Sequence, residues 1–382
     1  MAAQNEHESF QAPFQAVVQG VVFQEVQEAG VAPAPARENQ PLIELMPAST
    51  RSKKDFVLNG QQHRGIDVIE RVVDIIRFLE KDLSVPRLND IHDELWVAGR
   101  PMPPRPLHYQ LAASRAITLT EDIHLHLVWE PGRIFLKPLP RYLLSSDFWT
   151  KHLVCPQVED TRSCPCFRPN PEPGNPVAQQ ASCGRREMYK CAYGLLLSFT
   201  ALIQYESDYN IATDHHLIPN GVKWQSWREL SQELLEHSPY NTARVNKRYQ
   251  FGELRVGRLN KIYRIRGLLA AAGGLDDFMR GYKFEFATYG QQLEAYLAPI
   301  LAATAYILLV LTAMQVGLGT DTLRESLPFQ NASYGFTVFS ILGPLTLAAV
   351  VAVTVVLFAI FNYQSTKAFF RRRMAFYRGL GH

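Results

Sequence analysis

The chain has 382 residues, of which 47% are hydrophobic and 20% are charged. This composition allows a folded core and excludes a wholly disordered chain. The formal net charge of +3 is too small to indicate nucleic-acid binding, so we expect no nucleic-acid partner. The N-terminal sequence MAAQNEHESF has no apolar run that leads to a small-residue cleavage site, so we expect no signal peptide.

The first 290 residues divide by composition into two regions. Residues 1–55 are rich in Gln, Ala and Pro, and we expect this segment to be disordered. From Ile66 to Leu83, apolar residues recur at helical spacing opposite charged residues, which predicts an amphipathic helix. We assign residues 56–290 to one α-rich cytosolic domain.

A small β-hairpin is predicted in the middle of this domain. The apolar residues from Ile123 to Leu127 alternate with His124 and His126, which is typical of a strand. Residues 130–133 then place Pro and Gly at the centre of a type II turn, before a second strand in the sequence RIFLKPL. The two histidines would share one strand face. A solvated polar face explains this pattern better than a metal site, because no third ligand is in view.

Three further segments of the domain are predicted to be helical. The uncharged run from Cys191 to Tyr205 has only 15 residues, which is short for a membrane span, so we interpret it as a buried core helix. The sequence VKWQSWRELSQELLEH predicts an amphipathic helix. The basic sequence RYQFGELRVGRLNKIYRIR predicts a helix that either lies along anionic lipid headgroups or presents a solvated face.

All five cysteines fall within 37 residues of Pro-rich sequence, which invites a metal interpretation. However, no CxxC pair occurs, the Cys-Pro-Cys spacing differs from that of common structural zinc sites, and His152 is the only nearby imidazole. We therefore favour free thiols over zinc, palmitoylation or redox chemistry. The candidate zinc ligands are Cys155, Cys164, Cys166 and Cys183.

Two apolar segments near the C-terminus predict a membrane hairpin. No charged side chain occurs between Glu294 and Asp321, and we assign the first span to residues 295–318. The second span is assigned to residues 336–361, inside another uncharged interval. A hydrocarbon core of ~30 Å requires ~20 helical residues, so both segments are long enough to cross it. The lipid bilayer is therefore the first expected partner.

Basic residues beside the hairpin predict its orientation. The tail, residues 362–382, carries five basic residues and no acidic residue, whereas the connecting loop, residues 319–335, has Arg324 against Asp321 and Glu325. Because basic residues favour the cytosolic side of a membrane, we expect both chain termini in the cytosol and the loop on the other side. Which membrane the protein occupies stays open.

Common enzyme motifs are absent from the sequence. It has no GxxxxGK[ST] phosphate-binding loop, no HExxH, no GxSxG and no GxGxxG. We therefore expect a protein without enzymatic activity, with no catalytic or cofactor-binding residues.

Five sequence segments occur in the order found in a known protein family: RIFLKPLPRYLL, YESDYNIA, FGELRVGRLNKIYRI, LTAMQVGLGTD and FQNASYGFTVFSILGPL. Through them the chain resembles a family of uncharacterised fungal membrane proteins classed as a domain of unknown function, over Ile66 to Phe361. Members sometimes bear the label subtilisin-like serine protease. That label implies a Ser-His-Asp triad, yet this chain has neither a Gly-Thr-Ser nucleophile segment nor a His-Gly base segment.

The layout also looks like that of CorA-type divalent-cation channels, which have a large cytosolic domain, two C-terminal spans and a basic tail. Those channels carry Gly-Met-Asn at the outer end of the first span, where this chain has QVGLG at residues 315–319. A channel would require a homo-oligomer, with Thr304, Thr312 and Gln315 facing its axis. These polar residues and their small neighbours also suit simple helix packing.

We therefore predict a mainly α-helical fold with a small β-hairpin in the cytosolic region and two C-terminal transmembrane helices. Our leading hypothesis is a non-enzymatic integral membrane protein whose cytosolic domain binds a protein partner or acts as a scaffold at a membrane. A CorA-like oligomeric cation channel or transporter without Gly-Met-Asn is the alternative.

Overall fold

A computed structural model of the chain describes residues 12–14, 44–58, 61–154, 184–236, 244–269, 281–283 and 289–380. The chain divides into two compact units. The larger unit comprises Met1–Thr50 and Ile69–Lys283, and the smaller unit comprises Arg51–Val68 and Phe284–His382.

Among the described residues, β1 and β2 are long strands, the other four strands have two to four residues, and the longest helices lie near the C-terminus. The strands are β1 (Thr50–Leu58), β2 (Gln61–Glu70), β3 (Ala116–Leu119), β4 (Val128–Glu130), β5 (Arg133–Leu136) and β6 (Leu254–Arg255). The α-helices are α1 (Ile75–Leu83), α2 (Pro86–Asp90), α3 (Leu95–Ala98), α4 (Leu107–Ala112), α5 (Ser146–Phe148), α6 (Gly184–Leu202), α7 (Glu206–Asp214), α8 (Trp224–Glu236), α9 (Val256–Leu269), α10 (Tyr289–Leu318), α11 (Asp321–Arg324) and α12 (Leu327–Leu380). The prediction of a mainly helical fold with a small hairpin and two apolar C-terminal helices is confirmed.

The helix predicted from Ile66 begins nine residues later. Residues up to Glu70 belong to β2, which pairs with β1 in a two-stranded sheet. Helix α1 starts after Asp74, whose side chain accepts a hydrogen bond from the Arg77 backbone N–H at 3.0 Å and so caps the first turn. The apolar spacing from Ile66 onward was compatible with a helix, but strand pairing with β1 overrides it in the first half.

A four-stranded mixed sheet in the larger unit has the order β3-β5-β4-β6. β4 and β5 form the predicted antiparallel hairpin, with Val128 opposite Phe135, and Gly132 has φ +83°, as a type II turn requires. The first strand was predicted too early. Ile123–Leu125 is a 3₁₀ turn, and the chain enters β4 through Leu127, which has φ +62°. His124 and His126 therefore do not share a strand face.

The core of the larger unit is built around α6. The prediction of a buried core helix after Cys191 is confirmed, because Leu195, Leu196 and Phe199 of α6 are all fully buried. Two large aromatic residues, Trp149 and Trp227, complete this cluster. The amphipathic helix predicted after Val222 is α8, which buries one face against the same core.

Parts of the segment predicted to be disordered are ordered in the structure. The Phe14 side chain is 1% exposed and meets the Trp149 ring edge-to-face, with ring centroids 6.2 Å apart. Leu45 and Met46 pack against the same core, and β1 starts at Thr50. Apolar side chains scattered in a Gln- and Ala-rich sequence are therefore enough to anchor it locally. The rest of residues 1–43 lies outside the described residues.

In the smaller unit, α10 and α12 pack together through small side chains. A Cβ atom at Gly317 would lie 2.7 Å from the Phe329 ring, so only glycine permits this approach. Along α12, the residues with reduced exposure include Ser333, Ser340 and Gly343, which recur at intervals of seven and three residues. Together with Phe336, these residues recur at helical spacing and form the less exposed side of α12.

Helix α12 is longer than the predicted second span. It starts inside residues 319–335, where a loop was expected, and continues through residues 362–380, where a tail was expected. Pro344 lies inside the helix without ending it, and no Gly or Pro follows until Gly379. Among the described residues, two helices are long and apolar enough to cross a membrane, namely Leu301–Leu318 within α10 and Leu327–Arg378 within α12.

Candidate functional site

A cleft of about 540 Å³ opens in the larger unit beside α6. Its walls are mainly apolar and come from α6, the end of α8, the proline-rich segment before α4, and the chain before β6. We define the apolar cleft by Pro101, Pro104, Leu127, Leu197, Leu235 and Tyr249. Its volume and apolar lining are typical of sites that accept a small molecule or an apolar side chain.

Two glycines allow the walls of the apolar cleft to approach closely. A Cβ atom at Gly194 of α6 would lie 2.2 Å from the Tyr249 ring, so the ring packs directly against the helix backbone. A Cβ atom at Gly252 would lie 2.6 Å from the Met102 carbonyl oxygen, and the Gly252 N–H donates to that oxygen at 2.8 Å. These contacts tie the proline-rich segment to the chain before β6.

Leu127, on the floor of the apolar cleft, has a backbone conformation that is rare for a bulky residue. Its N–H donates to the Phe135 carbonyl at 2.9 Å, and its carbonyl accepts from the Leu254 N–H at 2.9 Å. The side chain is fully buried. Hydrogen bonds on both sides hold this left-handed residue, as is common where a fold positions a binding surface.

A serine and a histidine meet at the wall of the apolar cleft. Ser198 Oγ lies 2.9 Å from His126 Nε2, and both residues are buried. His126 Nδ1 accepts a hydrogen bond from the Lys137 backbone N–H at 3.1 Å. Burial, together with the nearby cations Arg248 and Lys137, lowers the pKa of His126 well below its usual value. The imidazole is therefore neutral, with its proton on Nε2.

This hydrogen-bond direction is the reverse of what a serine nucleophile needs. His126 donates from Nε2 to Ser198 Oγ, and the Ser198 hydroxyl donates onward to the Leu195 carbonyl at 2.6 Å. A general base must instead have an unprotonated nitrogen facing the hydroxyl. The pair therefore satisfies buried polar groups in the cleft wall.

A buried carboxylate next to the apolar cleft accepts hydrogen bonds from two arginines and one side-chain amide. Glu253 Oε1 accepts from Arg105 Nε and Gln110 Nε2, each at 2.8 Å, and Oε2 accepts from Arg105 and Arg115, each at 2.5 Å. Burial alone would raise the pKa of Glu253, but the hydrogen bonds from Arg105, Gln110 and Arg115 outweigh it and lower the pKa to about 2. The Arg115 guanidinium also stacks 3.9 Å from the centre of the Trp129 ring.

A second polar cluster surrounds Lys137, whose side chain is 1% exposed. Its ammonium donates to Asp82 Oδ1 and the Glu121 carbonyl at 2.9 Å, and to Glu121 Oε2 at 3.2 Å. The Tyr142 hydroxyl donates to Asp82 Oδ2 at 2.5 Å, and burial beside this carboxylate raises the pKa of Tyr142 well above its usual value. All three ammonium hydrogens are used, so Lys137 is suited to holding structure and not to nucleophilic chemistry.

One histidine–carboxylate pair was missed by sequence reasoning. Asp208, at the start of α7, is fully buried, and its Oδ1 accepts from both the backbone N–H and Nδ1 of His108 at 2.8 Å. Its Oδ2 accepts from the backbone N–H groups of Gln204 and Tyr205. The acidic residue at the third helical position was the available signal, because a carboxylate there commonly caps a helix.

The predicted zinc candidates Cys155, Cys164, Cys166 and Cys183 lie outside the described residues. Cys191 is described. It is buried in α6, and burial raises the pKa of its thiol to about 12, so the thiol is protonated and unreactive at neutral pH. Within the described ranges, no group of three or more His, Cys, Asp or Glu residues is placed to hold a metal ion.

The polar residues that a channel would turn toward its axis are exposed on α10. Thr304, Thr312 and Gln315 recur at intervals of eight and three residues, which places them on one side of the helix. The Thr312 hydroxyl donates to the Leu308 carbonyl at 2.9 Å, four residues earlier in the same helix.

Comparison with known proteins identifies the family. No curated protein and no solved structure matches the chain. A family model described as a family of unknown function, DUF6601, matches residues 75–344, which is more than half of the chain. The match begins at α1 and ends at Pro344, so it includes the apolar cleft and all of α10 but not β1 or β2. The chain therefore belongs to the DUF6601 family of unknown function.

Proposed function

We propose that this protein is integral to a membrane, anchored by α10 and α12, and that its larger unit binds a protein partner. The observation that carries the anchoring proposal is the exposed apolar surface of the two helices. Leu309 of α10 is 66% exposed and Val353 of α12 is 58% exposed, although both lie in the centres of long apolar segments. Water would penalise such a surface, whereas lipid tails would cover it.

We propose that both ends of the helical hairpin face the cytosol. The turn between the helices carries Arg324 with Asp321 and Glu325, whereas the last 21 residues carry five basic residues and no acidic residue. The positive-inside rule favours the cytosol for the basic end.

Protease protection of tagged protein in sealed vesicles with the cytosolic face outward tests this orientation. One epitope tag is inserted between Thr320 and Asp321, and a second follows His382. We expect external protease to remove the C-terminal tag and to leave the inserted tag intact until detergent is added. The opposite pattern, with only the inserted tag removed, would reverse the proposed orientation.

We propose that the apolar cleft is where the partner binds, through an apolar side chain of its own. Few polar groups line the cleft, and Ser198 and Thr200 already donate to carbonyl groups of α6. Leu235 is exposed at the rim, where it would be covered by a bound partner. Contact with an apolar group is therefore the interaction that this surface favours.

Photo-crosslinking in cells tests partner binding at the apolar cleft. A photoreactive residue replaces Gln204, which is exposed at the cleft, or Glu229, which is exposed on α8 outside the residues that line the cleft. We expect discrete crosslinked products from position 204 alone, and about a tenfold lower yield when Leu235→Glu places a charge at the rim. Equal products from both positions, or no effect of Leu235→Glu, would contradict partner binding at the apolar cleft.

We also propose that the protein is not a serine hydrolase, because the buried Ser198–His126 pair has the wrong hydrogen-bond direction. A fluorophosphonate probe is expected to leave the purified protein unlabelled, and labelling at Ser198 would contradict this. Among the described residues, no feature favours a CorA-like channel over an anchor.

A further inference from the structure

We propose that the two-stranded sheet and the basic end of α12 form a surface that binds the anionic phospholipid headgroups of the membrane crossed by the helices. We call this surface the basic platform and define it as residues 51–58 and 61–68, together with residues 362–380 of α12. All of it belongs to the smaller unit. The proposal rests on membrane anchoring by α10 and α12, and it adds a class of lipid and the residues that bind it.

The charge of the basic platform is strongly one-sided. Residues 51–68 contain four basic and two acidic residues, and residues 362–382 contain five basic and no acidic residues. Arg51, Lys53 and Lys54 on β1 are exposed, as are Lys367 and Arg371 on α12. The carboxylate of Asp55 already accepts the Gly65 N–H at 2.9 Å. Such a surface complements anionic lipid, where each nearby basic residue contributes about 1 kcal/mol.

A hydrogen bond holds the two parts of the basic platform together. The Arg373 guanidinium of α12 donates to the backbone carbonyl of Asp67 on β2. Arg373 and the three residues that follow it are partly buried, whereas Arg371 and Arg372 are exposed. The sheet therefore covers one side of the α12 end and leaves basic side chains displayed on another. The hydrogen bond thus links two basic segments that are distant in the sequence.

The position of the basic residues along α12 fits the headgroup layer. The helix continues past Phe361 at about 1.5 Å per residue, which places Lys367 about 9 Å and Arg371 about 15 Å beyond that position. Headgroups occupy several ångströms outside the hydrocarbon, and charge acts over a further ~8 Å at physiological ionic strength. Both residues are therefore within reach of lipid phosphates.

Exposed aromatic side chains favour lipid over an acidic protein as the partner of the basic platform. Tyr363, Phe369, Phe370 and Tyr377 lie on the same part of α12 as the basic residues, and each is at least half exposed. The Lys367 ammonium lies 5.6 Å from the centre of the Tyr363 ring. Aromatic rings interleaved with lysine and arginine are typical of the boundary between headgroups and acyl chains.

The basic helix α9, predicted from the sequence to face lipid or solvent, is a poorer candidate. Arg258 donates to the Val97 carbonyl at 3.0 Å, and Arg266 donates to the Asp90 carbonyl at 2.7 Å. The Arg255 guanidinium lies 5.3 Å from the centre of the Trp129 ring. These cations contact other residues of the larger unit, so residues 255–266 provide a matched control of similar charge.

Spin-label electron paramagnetic resonance on the full chain in liposomes tests the basic platform. Spin-labelled phosphatidylserine and phosphatidylcholine with the same acyl chains report how much lipid the protein immobilises. We expect at least about a threefold preference for phosphatidylserine at 0.1 M salt and a smaller preference at 1 M salt. Equal immobilisation of the two lipids at 0.1 M salt would overturn the proposal, and would leave an acidic protein as the alternative partner.

Two variants of equal charge locate the site. The platform variant combines Lys53→Gln, Lys367→Gln, Arg371→Gln and Arg372→Gln, and we expect it to bring the lipid preference close to one. The control variant combines Arg255→Gln, Arg258→Gln, Lys261→Gln and Arg264→Gln, and we expect it to keep the preference. Loss of preference in the control alone, or in both variants equally, would overturn the assignment to the platform.

Two further measurements keep the outcome decisive. A variant with Lys53→Arg and Lys367→Arg, which preserves charge, is expected to retain the preference, and its loss there would contradict an electrostatic surface. Inorganic phosphate at constant ionic strength is expected not to compete, because the platform binds a charged bilayer; competition would indicate a site for free phosphate instead. If no lipid is immobilised at all, the anchoring proposal fails, whereas immobilisation without headgroup preference removes only the platform.

Discussion

Arginine placed at both Leu309 and Val353 is expected to prevent stable membrane integration. Both side chains are exposed on the apolar surfaces of α10 and α12. One arginine at the centre of a membrane helix costs roughly 3 kcal/mol on insertion scales, so two substitutions disfavour the inserted hairpin by several kcal/mol. We therefore expect the wild-type protein to resist alkaline carbonate extraction and the double variant to appear mainly in the soluble or aggregated fraction.

The control for this experiment uses exposed apolar residues of the larger unit. Ile69 and Val73 are 76% and 86% exposed. The pair Ile69→Arg and Val73→Arg therefore adds the same charge and leaves the sequences of α10 and α12 unchanged. This control variant is expected to stay in the carbonate-resistant fraction. Release of the wild-type protein by carbonate, or resistance of the Leu309→Arg and Val353→Arg variant equal to that of the control, would contradict a membrane-spanning hairpin.

The apolar C-terminal helices could be predicted because the signal for them is local. A span requires about 20 consecutive apolar residues, and that requirement can be read from one stretch of sequence. Their ends were harder to predict. Helix α12 continues well beyond the apolar segment, because its basic end lacks helix-breaking residues and packs against β2 through Arg373. The turn at Gly132 was predictable for the same reason as the spans, since Pro and Gly at fixed positions determine a turn type.

The apolar cleft and its polar surroundings could not be predicted, because their contacts join distant parts of the chain. Arg105 and Glu253 are 148 residues apart, and His126 and Ser198 are 72 residues apart. No periodicity links such pairs. His126 illustrates the difficulty, because alternation suggested an exposed strand position, whereas the left-handed turn at Leu127 buries the imidazole against α6. A single non-glycine residue with positive φ is not visible in a hydrophobic pattern.

The basic platform brings together two observations that sequence reasoning kept apart. Residues 51–55 were grouped with a disordered N-terminal segment, and the basic end of α12 was used only to orient the hairpin. The structure places both in the smaller unit, and both lie outside residues 75–344, which the family model matches. The region that the family model matches and the basic platform are therefore separate parts of the chain.

Replacing Glu253 with glutamine is expected to destabilise the larger unit by about 3 kcal/mol. The substitution removes the negative charge but leaves Arg105 and Arg115 beside the apolar cleft, with Arg115 only 10% exposed. Breaking a buried ion pair by removing one partner typically costs 3–5 kcal/mol, because the remaining charge loses its compensation. The measurement is urea unfolding of the full chain in detergent, followed by tryptophan fluorescence. Glu229→Gln, on the exposed face of α8, is the matched control and is expected to change the free energy of unfolding by less than about 0.5 kcal/mol.

The same network predicts how stability depends on pH. The pKa of Glu253 is about 2 in the folded protein, whereas an ordinary solvent-exposed glutamate, as in the unfolded chain, has a pKa of 4.5. The folded state therefore favours the ionised carboxylate. The resulting stabilisation is fully present above about pH 4.5 and is lost as the pH falls from there toward about 2. We therefore expect the difference in unfolding free energy between the wild-type protein and the Glu253→Gln variant to be constant from pH 7 to 5 and to shrink below pH 4.5. A difference that stays constant down to pH 3 would show that the carboxylate charge does not hold the two arginines in place.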